Sequence, residues 1–403
     1  MSQPKPGANR IAAIAVAAAL CCAGAGRAVA QGTARSMDID PSVPSSGMGG
    51  ASTAVWWNAE PNYWANPALL GYYRGLRWQT AHTNLVPDLA SDVTFKTGRF
   101  TLGGAGIGYE IAGHPLNGLG GLDLDYGTGF VTDVNGNPIT IVAGRERIEA
   151  SGAGVSLSQL AASAYGLAGH DVPRFLRHVD VAGGFARKLT EVDLGGGVSD
   201  AEVTHDWGVL VKGGFGGVYT ASSDAGPLSL EAGYAQSVLN YDDATFDFGV
   251  AGSSPPTRMR REGGSARLAY DSYSGRNPAG SPMFSALMRG FAPIATLGFA
   301  YDWSSIAAGS GPTDYDVRQW GVEITLVNVF TLRGGHVWSD DPFGPMDDYS
   351  FGVGVALPLT EYAGARYDFA SYPEPNGLSN LKRNSVSVWL NPIALHRALH
   401  PGS

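Results

Sequence analysis

Beyond residue 75 the chain is built on a two-residue rhythm. Trp320, Val322, Ile324 and Leu326 alternate with Gly321, Glu323 and Thr325, so one face is apolar and the other is small or charged. The same alternation runs through Trp207, Val209 and Val211, through Leu228, Leu230, Ala232 and Tyr234, and through Ala295, Leu297, Phe299, Tyr301 and Trp303. It returns in Phe351, Val353, Val355 and Leu357, in Ala365, Tyr367 and Phe369, and in Val386, Val388 and Leu390. Several apolar runs end on an aromatic residue, as at Trp303 and Trp338, the placement a lipid-water girdle requires. Past residue 30 no apolar stretch approaches the roughly 18 residues of a helical span.

About thirteen to sixteen such segments can be marked, depending on whether the weak stretches Val93 to Phe95 and Ile139 to Arg147 are included. Fourteen strands in residues 31–403 would leave about 27 residues for each strand and its connection, enough for tilted strands of about 9 to 11 residues. The pattern predicts an all-β fold, a transmembrane antiparallel β-barrel of about 14 strands, whose closure pairs every backbone group. The non-apolar face is mostly Gly, Ala, Ser and Thr, suited to a crowded lumen rather than a wet sandwich face. With Asn328 at the centre of a turn, Glu323 faces Arg333 across a hairpin, either as a lumen ion pair or as an exposed surface pair. Two irregular stretches, Asp242 to Ser265 and Asp271 to Pro293, are expected to be extracellular loops, the second with Phe284, Leu287 and Met288 at helical spacing.

The first thirty residues differ. Lys5 and Arg10 precede an apolar run from Ile11 to Gly26, and Ala28-Val29-Ala30 precedes Gln31, the layout of a secretory signal cleaved near Ala30/Gln31. A membrane anchor would need a longer run. Both cysteines, Cys21 and Cys22, lie in this leader, so disulfides, thiol catalysis and zinc-thiolate sites are excluded from the exported chain. Losing the leader's three positive charges takes the formal net charge from −9 to −12, which argues against nucleic acid as a partner. The basic group Arg258, Arg260 and Arg261 reads as a solvated face in a loop.

Glycine fills 57 of 403 positions, against a usual share of about 7%. A helical protein would lose about 1 kcal/mol at each one in a helix interior, and 44% hydrophobic residues are too many for a disordered chain. Chemistry is sparse. The eight histidines are scattered, with no H-E-x-x-H motif, and the His396/His400 pair sits at the C-terminus. There is no G-x-S-x-G elbow and no P-loop. Acidic pairs such as Asp340/Asp341 and Asp347/Asp348 lack EF-hand spacing and read as solvated loops. No catalytic residues, metal or cofactor are expected, and the protein is expected not to be an enzyme.

Between leader and first strand, residues 31–75 have low strand character and carry Ser46-Gly47-Met48-Gly49-Gly50-Ala51, followed by Asn66-Pro67-Ala68-Leu69-Leu70. A G-M-G-G-A stretch followed by N-P-A-x-L resembles the N-terminal signature of the FadL (long-chain fatty-acid transporter) superfamily of outer-membrane barrels. The run from Trp320 to Leu390, with G-V-E, L-R-G-G, F-G-V-G-V and N-S-V-S-V-W-L, is similar to its PorV/PorQ branch. The resemblance implies a bacterial outer-membrane barrel with both ends in the periplasm and an N-terminal hatch in the lumen. The domain plan is then 1–30 signal peptide, 31–75 hatch, 76–391 barrel and 392–403 C-terminal tail. Gly47, Gly49, Gly50, Asn66, Pro67 and Ala68 would be structural hatch residues. Trp56, Trp57, Tyr63 and Trp64 would either line a path for solute or anchor the hatch to the wall. Implied partners are outer-membrane lipids, with hydrophobic small molecules passing a hatch-plugged lumen, or, in the alternative, proteins of a secretion system for which the barrel is a docking or shuttle component.

Overall fold

The structure, a computed structural model, describes residues 34–57, 60–85, 92–113, 122–132, 138–195, 197–215, 228–249, 253–270, 293–307, 314–341, 344–360, 362–374, 379–392 and 395. The leader, His114, Phe284, Leu287, Met288, His396, His400 and nearly all of the tail lie outside them. A short helix α1 (Val43–Gly47) and a 3-10 helix Pro67–Tyr72 precede the strands. The wall begins with β1 (Gly75–Asn84), β2 (Val93–Gly104), β3 (Ile107–Ala112), β4 (Leu122–Thr132) and β5 (Pro138–Ser156). After helix α2 (Leu157–Leu167) come β6 (Val179–Asp193), β7 (Ser199–Phe215) and β8 (Leu228–Leu239). A small ribbon of β9 (Phe246–Asp247) and β10 (Ser253–Ser254) leads to β11 (Arg258–Tyr270) and β12 (Ala295–Ala307). The wall finishes with β13 (Tyr315–Leu326), β14 (Phe330–Ser339), β15 (Met346–Thr360), β16 (Ala363–Tyr372) and β17 (Leu381–Leu390).

Each wall strand pairs antiparallel with its neighbours, and β1 pairs both β2 and β17, so the sheet closes on itself without an edge. Fifteen strands make fourteen staves, because β3 and β4 share one place: β2 and β5 pair with both. On β2, Arg99 opposes Ala112 and Thr97 opposes Leu122; on β5, Ala150 opposes Ala112 and Ile148 opposes Leu122. Between the partners of Ala112 and those of Leu122 each neighbouring strand therefore advances by two residues.

The period-two pattern becomes two surfaces. Val209, Val211, Leu230, Phe299, Ile324, Leu332, Val355 and Val388 stand exposed on the outside. Phe185, Trp207, Tyr234, Tyr301, Trp303 and Phe351 join this belt farther from the rim that carries the two wall ends, Gly75 and Leu390. Inward positions hold glycine and buried polar side chains such as Arg99, Lys188, Asp206 and Asp302.

Two expectations are corrected. Residues 258–265 belong to β11, where alternation turns Arg261 into the lumen while Arg260 stays exposed outside, so the three arginines are not one solvated face. The two long connections also start from opposite rims. Counted strand by strand from β1, β8 ends and β11 begins at the rim away from the wall ends, whereas β11 ends and β12 begins at the rim that holds them; residues 271–292 themselves lie outside those described.

Candidate functional site

The described residues of the N-terminal segment from Ala34 to Leu70 are almost wholly buried, and their partners are inward residues of the wall. Short inward residues make the room. A Cβ on Gly335 would come 2.3 Å from the Met48 carbonyl carbon, one on Gly184 would come 2.2 Å from that of Pro67, and one on Gly208 would come 2.0 Å from Asn66 Oδ1. Gly47 lies against Gly352, and Gly49 and Gly50 take φ of 69° and 86°, a left-handed turn that an L side chain resists. Asn66 caps the 3-10 helix by accepting from Ala68 N at 3.0 Å, with Pro67 at its first position, and donates to Thr53 O and Val209 O. Met48 and Leu70 make approaches as close, a Cβ on Gly108 coming 1.9 Å from the Leu70 carbonyl oxygen.

Polar clamps complete the fit. Asp302 Oδ2 accepts from Ser52 N at 2.7 Å, Thr53 N at 2.8 Å and Thr53 Oγ1 at 2.7 Å, and Arg261 donates to the same oxygen at 3.2 Å and to Gly50 O at 2.9 Å. Glu60 pairs with Arg99 and accepts from Gln79 Nε2 at 2.7 Å. Arg383 donates to Ser46 Oγ and Asp40 O, and Glu146 accepts from Ser36 N at 2.7 Å. Lys188 stands 3.9 Å over the Trp64 ring. Arg333 Nε donates to its register partner Glu323 at 2.7 Å and Arg333 Nη1 donates to Asp368 at 2.8 Å, all three buried in the lumen.

The four aromatic residues separate into two settings. Trp56 and Trp57 meet edge to face and press on the wall at Gly233 and Gly298. Tyr63 and Trp64 instead join the largest apolar cluster of the interior, with Phe95 of β2, Ala112 of β3, Leu122 and Leu124 of β4 and Ile148 of β5. Burial pushes the Tyr63 phenol well above its ordinary range, so it is neutral. Here the inward positions are largely apolar, beside the buried Glu146, and the outward ones are charged. Leu122, Leu124 and Ile148 point inward, while Asp123, Arg145 and Arg147 pair on the outside at 3.0 and 3.3 Å. The apolar interior therefore lies directly behind the divided stave. Sequence reasoning missed this cluster and the Asp302–Arg261 clamp. The signal for the first was present in Leu122-Asp123-Leu124-Asp125, an alternation whose charged face belongs to water.

The arrangement is a closed fourteen-stranded barrel whose inward residues pack against its own N-terminal segment. Among the described residues no group of three metal-ligating side chains occurs. No protein-family model and no curated protein matches the chain. Among solved structures it is similar to the Ralstonia pickettii toluene transporter TbuX, at 14% identity and TM-score 0.44 over 86% of this chain and 97% of that one. It is also similar to the P. putida toluene transporter TodX, at 12% and 0.42 over 86% and 97%. A third similar chain is a Pseudomonas aeruginosa FadL homologue, at 10% and 0.41 over 86% and 97%.

Proposed function

We propose that the protein is a bacterial outer-membrane channel for hydrophobic small molecules, with residues 34–74 as a hatch that must shift for solute to pass. A closed barrel with an exposed apolar belt is soluble in lipid and not in water. The single observation that carries the solute class is the apolar cluster behind the divided stave. Phe95, Leu122, Leu124 and Ile148 gather beside the place where wall pairing is interrupted, where they pack on Tyr63 and Trp64. Displacing Tyr63 and Trp64 would free that surface for an apolar solute entering or leaving through the wall.

The hatch is suited to movement because hydrogen bonds to carboxylates and arginines hold much of it. Water replaces each at a net cost of about 0.5–1.5 kcal/mol, more where a charge takes part. The secretion-docking alternative gains less support. The motifs of the Trp320 to Leu390 run lie in β13–β17, and their inward residues Glu323, Arg333, Gly335 and Gly352 serve the lumen and the hatch rather than an outer docking face. Uptake of a labelled fatty acid or toluene into liposomes tests the reading. Leu124→Asn should slow uptake while the outward Val353→Leu leaves it unchanged, and equal rates for both would reject the apolar site.

A further inference from the structure

Helix α2 joins β5 to β6 at the rim that carries both wall ends. Its sequence, Leu157 to Leu167, contains no charged residue. Its polar side turns to the barrel. Ser156 caps the helix through Gln159 N, Ser158 N and Oγ donate to Asp180 of β6 at 2.9 and 2.7 Å, and Gln159 accepts from Arg74. The helix also runs tightly beneath the β2–β3 turn, where a Cβ on Gly106 would come 2.4 Å from Leu160 N. The opposite side is bare: Leu157 is 55% exposed, Leu160 37% and Leu167 91%, and with Ala164 they fall at i, i+3, i+7 and i+10 on one stripe. Phe175, in the 3-10 turn Arg174–Arg177 that follows, is 68% exposed. A water-soluble surface helix carries the reverse pattern, its apolar stripe inward.

We propose that α2 is an interfacial helix that lies in the phospholipid headgroup region of the leaflet at this rim, with Leu157, Leu160 and Leu167 inserted toward the acyl chains. The occupant follows from continuity. The strand ends beside the helix carry the lower part of the lipid-facing belt, with Leu102, Ile107, Val179 and Val181 all exposed, and the leucine stripe extends that belt beyond the last pairs of β5. The wall needs the extension there. On β5 the outward side chains turn polar after Val155 and Ala153, at Ser151, Glu149 and Arg147, whereas on β15 they stay apolar from Leu359 to Phe351. Arg174 and Arg177 flank Phe175 and Leu176 in sequence, a composition that anionic phospholipid attracts. The helix thus serves as a lipid-side footing next to the divided stave, holding the barrel at a fixed depth on the side where the candidate passage lies.

This inference rests on the membrane-barrel reading, and spin labelling separates the two. In the full-length chain with Cys21→Ser and Cys22→Ser, single cysteines at Leu160→Cys, Leu167→Cys, Val181→Cys and Asp243→Cys are labelled in phosphatidylethanolamine/phosphatidylglycerol vesicles. Relaxation by oxygen, which partitions into lipid, is compared with relaxation by a water-soluble nickel chelate. The expected result is an oxygen-to-nickel ratio at 160 and 167 several-fold above that at 243 and close to that at 181. Nickel access at 160 and 167 equal to that at 243, with 181 still in lipid, would place the helix in water and overturn the inference while the barrel reading stands. Shielding of 160 and 167 from both reagents would mean that protein covers the stripe, and overturns it equally. Nickel access at 181 would overturn the barrel reading itself.

Discussion

Lys188 Nζ lies 2.7 Å from Asp206 Oδ2, and neither side chain has any exposed surface. The pair joins β6 to β7 inside the lumen against the face of Trp64. A buried ion pair is costly to break on one side only, because the remaining charge is stranded. Lys188→Met should therefore destabilise the folded barrel by about 3–5 kcal/mol. Lys188→Met/Asp206→Asn, which keeps an acceptor for Asn240 N, should regain most of that loss. Urea unfolding of the two single variants and the double variant in detergent checks the cycle, and additive losses would mean the pair is not coupled.

Gly334 and Gly335 are consecutive on β14 and face opposite ways. A Cβ on Gly335 would strike the backbone of Met48 and Gly49 at 2.3 and 2.4 Å, whereas one on Gly334 meets nothing within 4 Å. Gly335→Val should unseat the N-terminal segment and expose it to added protease, while Gly334→Val should be neutral or slightly stabilising, since valine suits a strand better than glycine. Gly354→Leu, whose side chain would press on Arg366 and Asp368, should disturb the lumen as the outward Val353→Leu does not. Proteolysis at residues 34–57, followed by mass spectrometry, reads all four.

Asp302 gathers two backbone N–H groups, a hydroxyl and a guanidinium on one oxygen. Asp302→Ala leaves Ser52 N, Thr53 N and the Arg261 charge without this acceptor, at about 1–3 kcal/mol for each buried group left unpaired. The expected outcome is faster hydrogen exchange at residues 50–54, with the exchange of β6 and β7 unchanged. Asp302→Asn, which can still accept but carries no charge to offset Arg261, should fall between the variant and the parent.

The lipid-facing half of the fold was legible because a strand in a barrel repeats every two residues, and lipid tolerates almost nothing but apolar side chains. Trp320 to Leu326 and Leu228 to Tyr234 read directly. The inward half was legible only as small and polar residues, because what they touch is forty residues of chain from elsewhere in the sequence. Arg261 was misplaced since its neighbours Arg258 and Arg260 obscured the alternation. The rim of each long connection depends on counting every strand before it, and the division of one stave into β3 and β4 leaves no mark that composition reveals. In β4 the aspartates at 123 and 125 mark the outward face, and Leu122 and Leu124, alternating with them, carry the inward one.

Closure of the lumen by residues 34–74, proposed above, is read by planar-bilayer conductance of the parent and of a variant lacking Ser46 to Leu70. Insertion of each as a folded barrel is first confirmed by its heat-modifiable migration. Low, intermittent conductance in the parent and a large steady conductance in the variant is the expected result. Equal conductance in the two folded barrels would mean that the segment does not close the lumen.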